Sequence, residues 1–394
     1  MSVLPYQEPV LPTPLHPRTS ELCRANQWVR WAGYTTVDVY YDVELEYFAV
    51  RNGATLFDLS PMIKYRIVGP EASRYVNRLI TRDINKIKPG RVAYVLWCND
   101  DGKVLDDGTL FRFSENEFRL CAQDRHLCWL HDTAYGCDVE IEDVSEEIAA
   151  VALQGPTSCA VLKRLGLSGI ETLKPFELKH YDFADSQLLV SRTGFTGDLG
   201  YELWIDPRLA IDLWDSLMQP SDEYAIRPIG SQALDLVRIE AGFIAPHVDF
   251  MPADEALRKT RGRSPVELGL GRLVNFDKGH FNGKRALLRE QEGETPRYRL
   301  VGLDVDGNKP ARDAFIYHNR KKQVGHVTSA MWSPTCKRNI AIASLDGDAP
   351  QENLWVEIYV SKELKWEKQM VPCHITQRPF FNPPRRRATP VPER

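Results

Sequence analysis

The chain has 394 residues, 43% of them hydrophobic and 26% charged, which predicts a globular protein of two or three domains. Its formal net charge of −4 argues against nucleic acid as a partner, and its eight cysteines form no C-x-x-C pair that would indicate a zinc site. The sequence contains no apolar run of about 18 residues and no basic-then-apolar leader pattern, so we expect a cytoplasmic protein that does not enter a membrane.

The amino-terminal region combines a proline-rich start with a dense group of aromatic residues. Residues 1–20 predict an extended arm, because the prolines restrict the backbone and few side chains are apolar. In the segment that follows, Trp31, Tyr34 and Tyr40 are candidates to line a pocket. Aromatic side chains pack a core as often as they line a pocket, so both interpretations stand at this point.

The next part of the chain alternates helices with strands. Residues 44–62 predict a helix that stops at Asn52-Gly53, with a short strand after it. Alternating apolar residues then predict an antiparallel sheet between two further helices. The predicted helices cover residues 70–81 and 124–135, and the predicted strands cover residues 92–98, 103–113 and 117–122.

A glycine-rich loop, RTGFTGDLGYEL (192–203), breaks one predicted strand and begins another. Glycines allow a backbone to come close to a flat ligand. On the second strand, Glu202 and Trp204 point to the face opposite Tyr201. Glu202 is therefore the first candidate binding residue, although a hairpin with a merely solvated glutamate fits the same pattern.

The second half of the chain predicts more helices and then a β-rich region. Helical patterns cover residues 157–165, 207–219 and 230–241, with Gly242 as the last cap. The basic loop 258–263 is either a solvated turn or a site that attracts an anionic ligand tail. Polar residues 288–298 predict a linker. Six short strands between residues 299 and 375 predict a small antiparallel barrel or sandwich, and residues 385–394 predict a disordered tail.

The pair Asp106-Asp107 is the second candidate for chemistry. Consecutive strand residues point to opposite faces, so only one of the two can face a given pocket. A carboxylate in a partly apolar pocket can orient an amine or handle its proton. We find no H-E-x-x-H motif, phosphate loop or nucleophile elbow, so no metal site is predicted. The residues alone indicate a multidomain protein with a carboxylate-bearing pocket.

Seven segments in register resemble the glycine-cleavage T-protein superfamily of tetrahydrofolate-dependent one-carbon transferases. They are RNGATLFDLSPM (51–62), KVLDDG (103–108), ALQGP (152–156), RTGFTGDLGYEL (192–203), VRIEAGF (237–243), KGHFNGKRAL (278–287) and GHVTSAMWSPTCKRNIAIASL (325–345). The resemblance implies an α+β fold, a three-domain cloverleaf with antiparallel sheets, a C-terminal β-barrel and folate in the central hole. The implied domains are residues 1–50 plus 138–290 (a split, folate-binding first domain), 51–137 (an inserted α/β domain) and 296–384 (the barrel).

The resemblance also implies roles for single residues. By motif position, Glu202 matches the glutamate that grips the pterin ring, where one carboxylate can accept from a ring N–H and an exocyclic amine together. Asp107 matches the essential aspartate near the reactive folate nitrogens. Arg238 matches an arginine on the folate-facing helix, although an ion pair with Asp235 or Glu240 explains it as well.

The same glycine-loop motif contributes Phe195 and Tyr201 to the expected cofactor site. Phe195 stands where a tyrosine is usual in the family, which removes a hydroxyl group. The segment FIAPHVDF (243–250) and the basic insertion after it also depart from the T-protein pattern. These departures lie mostly on the donor side of the site.

The donor side looks closer to the demethylase branches of the superfamily, those similar to dimethylsulfoniopropionate demethylase and aryl O-demethylase. The leading expectation is thus methyl transfer from a small N-, S- or O-methylated donor to tetrahydrofolate. The aromatic residues Trp31, Tyr34, Tyr40 and Phe243, together with His247, are the expected donor-binding set. The alternatives are aminomethyl transfer from a lipoyl carrier protein, as in glycine cleavage, and a folate-binding protein without catalysis.

Overall fold

The computed structural model describes residues 10–293 and 296–392. Its strands, in chain order, are β1 (Leu11–Pro12), β2 (Gln27–Trp31), β3 (Tyr34–Val39), β4 (Ala54–Asp58), β5 (Ile63–Val68), β6 (Arg91–Cys98), β7 (Val104–Arg112), β8 (Glu117–Ala122), β9 (Glu140–Asp143), β10 (Ala149–Gln154), β11 (Leu178–Phe183), β12 (Ser186–Ser191), β13 (Gly200–Ile205), β14 (Ile226–Pro228), β15 (Tyr298–Val305), β16 (Phe315–His318), β17 (Lys322–Ser333), β18 (Arg338–Asp346), β19 (Leu354–Lys362) and β20 (Lys365–Thr376). Its α-helices are α1 (His16–Leu22), α2 (Val43–Asn52), α3 (Ala72–Leu79), α4 (Leu127–Thr133), α5 (Ser158–Arg164), α6 (Ala210–Met218), α7 (Ser221–Tyr224), α8 (Ser231–Glu240) and α9 (Lys284–Glu292).

These elements form the α+β fold that the sequence predicts. One sheet has the strand order β11-β12-β13-β10-β4-β14, and a second has the order β6-β7-β8-β5-β9. The last six strands close into the barrel β15-β18-β17-β16-β19-β20. Almost all neighbours are antiparallel; the parallel pairs are β4 with β14 and β1 with β3. Within residues 10–293 and 296–392, no helix is long and apolar enough to cross a membrane.

Local sequence signals explain where two site-forming helices begin and end. The Asp42 carboxylate caps α2 by accepting the backbone N–H groups of Glu44 and Leu45. The helix ends at Gly53, where a β-carbon would lie 2.5 Å from the Ala225 carbonyl oxygen, so the predicted stop is confirmed. Helix α8 ends just before Gly242, which has φ +68°, as the sequence predicts.

Three segments differ from the sequence prediction. The described part of the amino-terminal arm is not simply extended, because it contains β1 and α1 and buries Leu15 in the first-domain core. The expected linker 288–298 is helical as far as Glu292, the end of α9. Residues 1–9 of the arm and residues 294–295 of the linker lie outside the described residues.

The expected disordered tail is ordered over residues 385–392. The Arg192 guanidinium donates to the backbone carbonyls of Arg385, Arg386 and Ala388, at 3.4, 3.3 and 2.8 Å. Val391 is buried in the first-domain core. The sequence predicts disorder here, but the buried Arg192 supplies the hydrogen-bond donors that hold this segment. Residues 393–394 lie outside the described residues.

Sheet membership divides the chain at slightly different points from the expected insert 51–137. Strand β4 (Ala54–Asp58) pairs with β10 and β14 in the six-stranded sheet. Strand β9 (Glu140–Asp143) pairs with β5 in the five-stranded sheet. The five-stranded unit therefore begins after β4 and includes β9, because hydrogen-bonded neighbours distant in sequence decide where each strand belongs.

A buried charge network joins α2, the glycine loop, α8 and the barrel. Arg51 donates to Glu240 Oε2 through Nε at 2.9 Å and Nη2 at 2.6 Å, and its Nη1 lies 3.4 Å from Asp198 Oδ2. Glu240 also accepts from the hydroxyls of Tyr47 and Ser333. The side chains of Arg51 and Glu240 are 4% and 0% exposed, so each charge depends on its partners for compensation.

Candidate active site

Asp106 and Asp107 point to opposite faces of the five-stranded sheet, as the strand pattern predicts. Asp107 pairs in register with Leu96, and Asp106 pairs with Trp97. The Leu96 face packs against the rest of the protein, whereas the Trp97 face is covered by the helices of its own domain. Asp107 is partly accessible and Asp106 is fully buried. Asp107 is therefore the aspartate on the sheet face that packs toward the rest of the protein.

The Asp107 carboxyl group is prepared for proton chemistry near neutral pH. Burial and the charge of Asp106 raise its pKa to about 7, against the opposing effect of the Tyr94 hydroxyl, which acts as a hydrogen-bond donor. Burial, together with the charge of Asp107, also raises the pKa of Tyr94 well above its ordinary value. A carboxyl group with a pKa close to 7 can give up or accept a proton with little cost.

Glu202 lies on β13 beside a short chain of hydroxyl groups. Thr193 Oγ1 donates to Glu202 Oε2 at 2.5 Å, Ser191 Oγ lies 2.7 Å from Thr193 Oγ1, and Trp204 Nε1 donates to Ser191 at 3.3 Å. Burial raises the pKa of Glu202 to about 7. Hydrogen bonds from Thr193 and Ser191 oppose this rise in pKa. The interpretation of Glu202 as a solvated hairpin residue is therefore wrong.

The glycines of the loop 192–203 pack against protein, not against a ligand-sized space. A β-carbon at Gly194 or Gly200 would lie 2.0 or 2.3 Å from the Gln154 side chain. At Gly197, which has φ +72°, it would lie 2.5 Å from the Ala241 β-carbon. These glycines allow the loop to close over Gln154 and the end of α8, and so they place Glu202 indirectly.

The sheet faces that carry the two carboxylates contact each other. Phe111, on the Asp107 face of β7, packs edge-to-face against Trp204, on the Glu202 face of β13, with ring centroids 5.2 Å apart. Both aromatic residues belong to one buried cluster that also includes Met331 of the barrel. The contact shows that these two sheet faces meet, and that the barrel reaches the same cluster.

Two expected cofactor-binding residues lie elsewhere. Tyr201 is fully buried in the core on the far side of β13, because strand residues alternate and Glu202 takes the near side. Arg238 is 1% exposed, and its guanidinium donates to Asp235, Asp249, Ser329 and the Phe243 carbonyl oxygen. Arg238 thus has the structural role that the sequence left open, with Asp235 as one partner; the partner of Glu240 is Arg51.

Phe195 and Phe243, expected in the cofactor and donor sites respectively, form one stacked pair. Their ring centroids lie 5.3 Å apart with an interplanar angle of 12°. The Arg386 guanidinium lies 5.2 Å from the Phe243 ring centroid. Phe195 keeps 38% of its surface exposed, so the pair offers an accessible aromatic surface beside the glycine loop.

The amino-terminal aromatic residues mostly fill the core. Tyr40 is 1% exposed and Tyr34 is 7% exposed. Trp31 is half-buried and packs near Phe57, with ring centroids 6.2 Å apart. The core interpretation therefore holds for the two tyrosines, because β2 and β3 fold this segment against α1 and α8.

His247 is held between two carboxylates on the surface. Its Nε2 lies 2.7 Å from Asp124 Oδ2, and its Nδ1 lies 3.5 Å from Glu255 Oε2. Partial burial lowers its pKa, but the bond to Asp124 and the surrounding negative charge raise it overall. Ligand atoms of these three residues lie within 4.8 Å of one another, and an ion-paired imidazole explains that geometry without a metal ion.

Sequence reasoning missed Tyr94, which contacts Asp107, and Arg378, which lies near Tyr94. Tyr94 lies on the same face of the sheet as Asp107, as the pairing of β6 with β7 shows. A prediction of that pairing from the sequence would have found this residue. No motif or periodicity in the sequence around Arg378 indicates a role for it. It is a largely buried guanidinium near Tyr94 and Asp249 that donates to the Leu300 carbonyl oxygen, and burial lowers its pKa. Among the described residues it forms no ion pair with a carboxylate.

Comparison with known proteins places this site in a family. Residues 17–278 match the description "GCVT N-terminal domain", and residues 299–382 match "Glycine cleavage T-protein C-terminal barrel domain". The chain belongs to the glycine-cleavage T-protein family. It is therefore a tetrahydrofolate-dependent one-carbon transferase.

Individual relatives agree with this assignment. The aminomethyltransferase of Thermoanaerobacter sp. (strain X514) is 33% identical over 343 residues, which are 86% of this chain and 90% of the relative. The aminomethyltransferase of Bacillus subtilis (strain 168) is 30% identical over 359 residues, or 90% and 94% of the two chains. The glycine cleavage system aminomethyltransferase T of Bartonella henselae has the same fold, with a TM-score of 0.81 over 95% of this chain and 98% of that chain, at 24% identity.

The polar groups at Glu202 fit the tetrahydrofolate of this T-protein family. A pterin presents a ring N–H beside an exocyclic amine, and a carboxylate such as that of Glu202 can accept from both of these donors. Thr193 already binds Oε2, so the carboxylate is fixed in orientation before a ligand arrives.

We expect folate affinity to depend on pH through Glu202. Only the ionised carboxylate accepts from both pterin donors, and the pKa of Glu202 in the free protein is about 7. The dissociation constant should therefore rise by up to about tenfold per pH unit as the pH falls below 7 and level off above it. Calorimetric titration between pH 5.5 and 8.5 (about three units) measures this.

The matched control is Glu202→Gln, which keeps the shape of the side chain. This variant should bind about tenfold or more weakly above pH 7, because one charged hydrogen bond contributes roughly 1.5–3 kcal/mol. Its affinity should also change little with pH. A pH dependence equal to that of the wild type in this variant would contradict the assignment.

Proposed function

We propose that this protein transfers an aminomethyl-derived one-carbon unit to tetrahydrofolate, as the relatives named aminomethyltransferase do. The observation that carries the proposal is that Asp107 and Glu202, two carboxyl groups with pKa values of about 7, lie on sheet faces that contact each other. The relatives' name supports the donor, a lipoyl-bound aminomethyl group on a carrier protein. This replaces the methyl-donor expectation as the leading function.

In the proposed mechanism each residue has a separate role. Glu202 binds the pterin edge and fixes the position of the ring. Asp107 exchanges a proton with the reacting nitrogen, and Tyr94 holds the Asp107 carboxyl group as a hydrogen-bond donor. When bound, tetrahydrofolate would supply the nitrogen atoms that take up the one-carbon unit, while the amine of the aminomethyl group leaves as ammonia and the carrier sulfur leaves as a thiol. Holding both reactants in one interdomain space contributes through orientation, where effective molarities are large.

Transfer from a small methylated donor is a second candidate, and one specific observation favours it. The accessible Phe195–Phe243 surface could hold a methylated cation, at about 0.5–2 kcal/mol per ring.

One assay distinguishes the two donors. Purified protein and tetrahydrofolate are supplied either with an aminomethylated lipoyl carrier domain or with a panel of free N-, S- and O-methylated compounds. Mass spectrometry then separates methylene-tetrahydrofolate from methyl-tetrahydrofolate. We expect methylene-tetrahydrofolate with the carrier, lost in the Asp107→Asn variant. Methyl-tetrahydrofolate from a free donor, with no product from the carrier, would replace aminomethyl transfer by demethylation.

A further inference from the structure

Asp106 is fully buried on the opposite face of β7 from Asp107, but its side chain binds the backbone of Asp107. Asp106 Oδ1 accepts the Asp107 N–H at 2.7 Å. Asp106 Oδ2 lies 3.1 Å from His126 Nε2 and accepts the Asp124 N–H at 3.4 Å. The Asp106 side chain is 0% exposed, so these three contacts replace the water that a carboxylate would otherwise need.

His126 is itself fixed from several directions. Its backbone N–H donates to the Tyr65 hydroxyl at 2.7 Å, and its ring meets Trp97 edge-on, with centroids 5.5 Å apart. Its Nδ1 lies 3.8 Å from Asp254 Oδ2, on the segment that departs from the T-protein pattern. These contacts hold the His126 ring with its Nε2 toward Asp106 Oδ2.

The charges around this unit are coupled. Burial raises the pKa of Asp106, and the bond to His126 opposes that effect. Burial lowers the pKa of His126, while Asp106, Asp254 and Asp124 raise it overall. The charge of Asp106 in turn raises the pKa of Asp107, which also faces Tyr94 and Asp249.

We propose that His126 is a positioning residue for the transferase site, because it holds the Asp106 carboxylate in the orientation that binds the Asp107 amide. Without the Nε2–H donor, Asp106 would turn toward other donors or take up a proton. The Asp107 amide would then lose its acceptor, and the Asp107 carboxyl group would lose its fixed direction. This inference rests on the proposed function, in which Asp107 exchanges a proton with the reacting nitrogen.

The test compares variants that remove or keep the hydrogen-bond donor at position 126, which faces Asp106. His126→Phe and His126→Met remove it and keep bulk against Trp97, whereas the amide of His126→Gln can still donate to Asp106. We expect kcat to fall by about 10²-fold in the donor-free variants, as for a misplacement of about 1 Å, with the KM for tetrahydrofolate changed little. The Gln variant should regain most of kcat. His131→Gln, an exposed histidine on α4, is the matched control and should behave as wild type.

A second measurement does not depend on activity. In protein labelled with ¹⁵N-aspartate, the Asp107 amide signal is identified by its loss in Asp107→Asn. Its proton shift should move upfield in the donor-free variants and stay in place in His126→Gln. Lack of transferase activity in the wild type, with this amide pattern present, would remove the proposed function but not the positioning role. An unmoved amide signal and an unchanged kcat in the donor-free variants would overturn the inference, as would failure of both donor-free variants to fold.

Discussion

Asp107→Asn should lower turnover by about two to four orders of magnitude, the usual range for loss of a group that exchanges a proton in the transition state. The variant keeps the shape of the side chain and the contact with Tyr94, but it cannot ionise. Tetrahydrofolate affinity should change much less, because Glu202 holds the pterin. Steady-state kinetics with tetrahydrofolate binding by calorimetry measure the two effects separately.

Asp106→Asn is the control for that prediction. Asparagine keeps an oxygen that can accept the Asp107 N–H, so turnover should fall less than in Asp107→Asn. The substitution also removes the charge that raises the pKa of Asp107. The acid limb of the pH–rate profile should therefore move to lower pH. If Asp106→Asn proved inactive and Asp107→Asn active, the roles of the two aspartates would be reversed.

Arg51→Ala should lower the free energy of unfolding by about 3–5 kcal/mol, because it leaves buried Glu240 without its cation. The side chains of Arg51 and Glu240 are 4% and 0% exposed, so water cannot replace the lost partner. Arg51 also donates to the Thr196 and Val237 carbonyl oxygens, and these two hydrogen bonds would be lost as well. Urea unfolding followed by circular dichroism measures the change.

Arg66→Ala is the matched surface control. Arg66 pairs with Glu142 at 3.1 Å, but both side chains are close to half exposed, at 45% and 46%. Its loss should lower the free energy of unfolding by less than about 1 kcal/mol. Equal effects of the two substitutions would show that the buried network of Arg51 contributes no more than an exposed pair.

Most secondary-structure elements near the site could be predicted from local signals. The stop of α2 at Gly53, the cap of α8 at Gly242 and the alternation that separates Asp106 from Asp107 depend on neighbouring residues only. The same alternation should have removed Tyr201 from the expected cofactor site, since Glu202 and Tyr201 are consecutive on one strand.

Other predictions required information that no short segment contains. The role of the loop glycines depends on Gln154, which is about forty residues earlier in the chain. The order of the carboxyl-terminal tail depends on Arg192, and the structural role of Arg238 depends on Asp249 and Ser329. In each case the partner is distant in sequence, so composition and periodicity could not reveal it.

The sequence by itself determined the α+β class and, through its family motifs, the barrel, and it proposed the two carboxylates, because strand alternation, turn residues and motifs depend on consecutive positions. The tertiary structure decided which residues meet those carboxylates. Sheet register places Tyr94 on the Asp107 face, and the contact of Phe111 with Trp204 joins that face to the Glu202 face. It also decided the two pKa values of about 7, because the removal of water around a carboxyl group depends on every segment that packs near it.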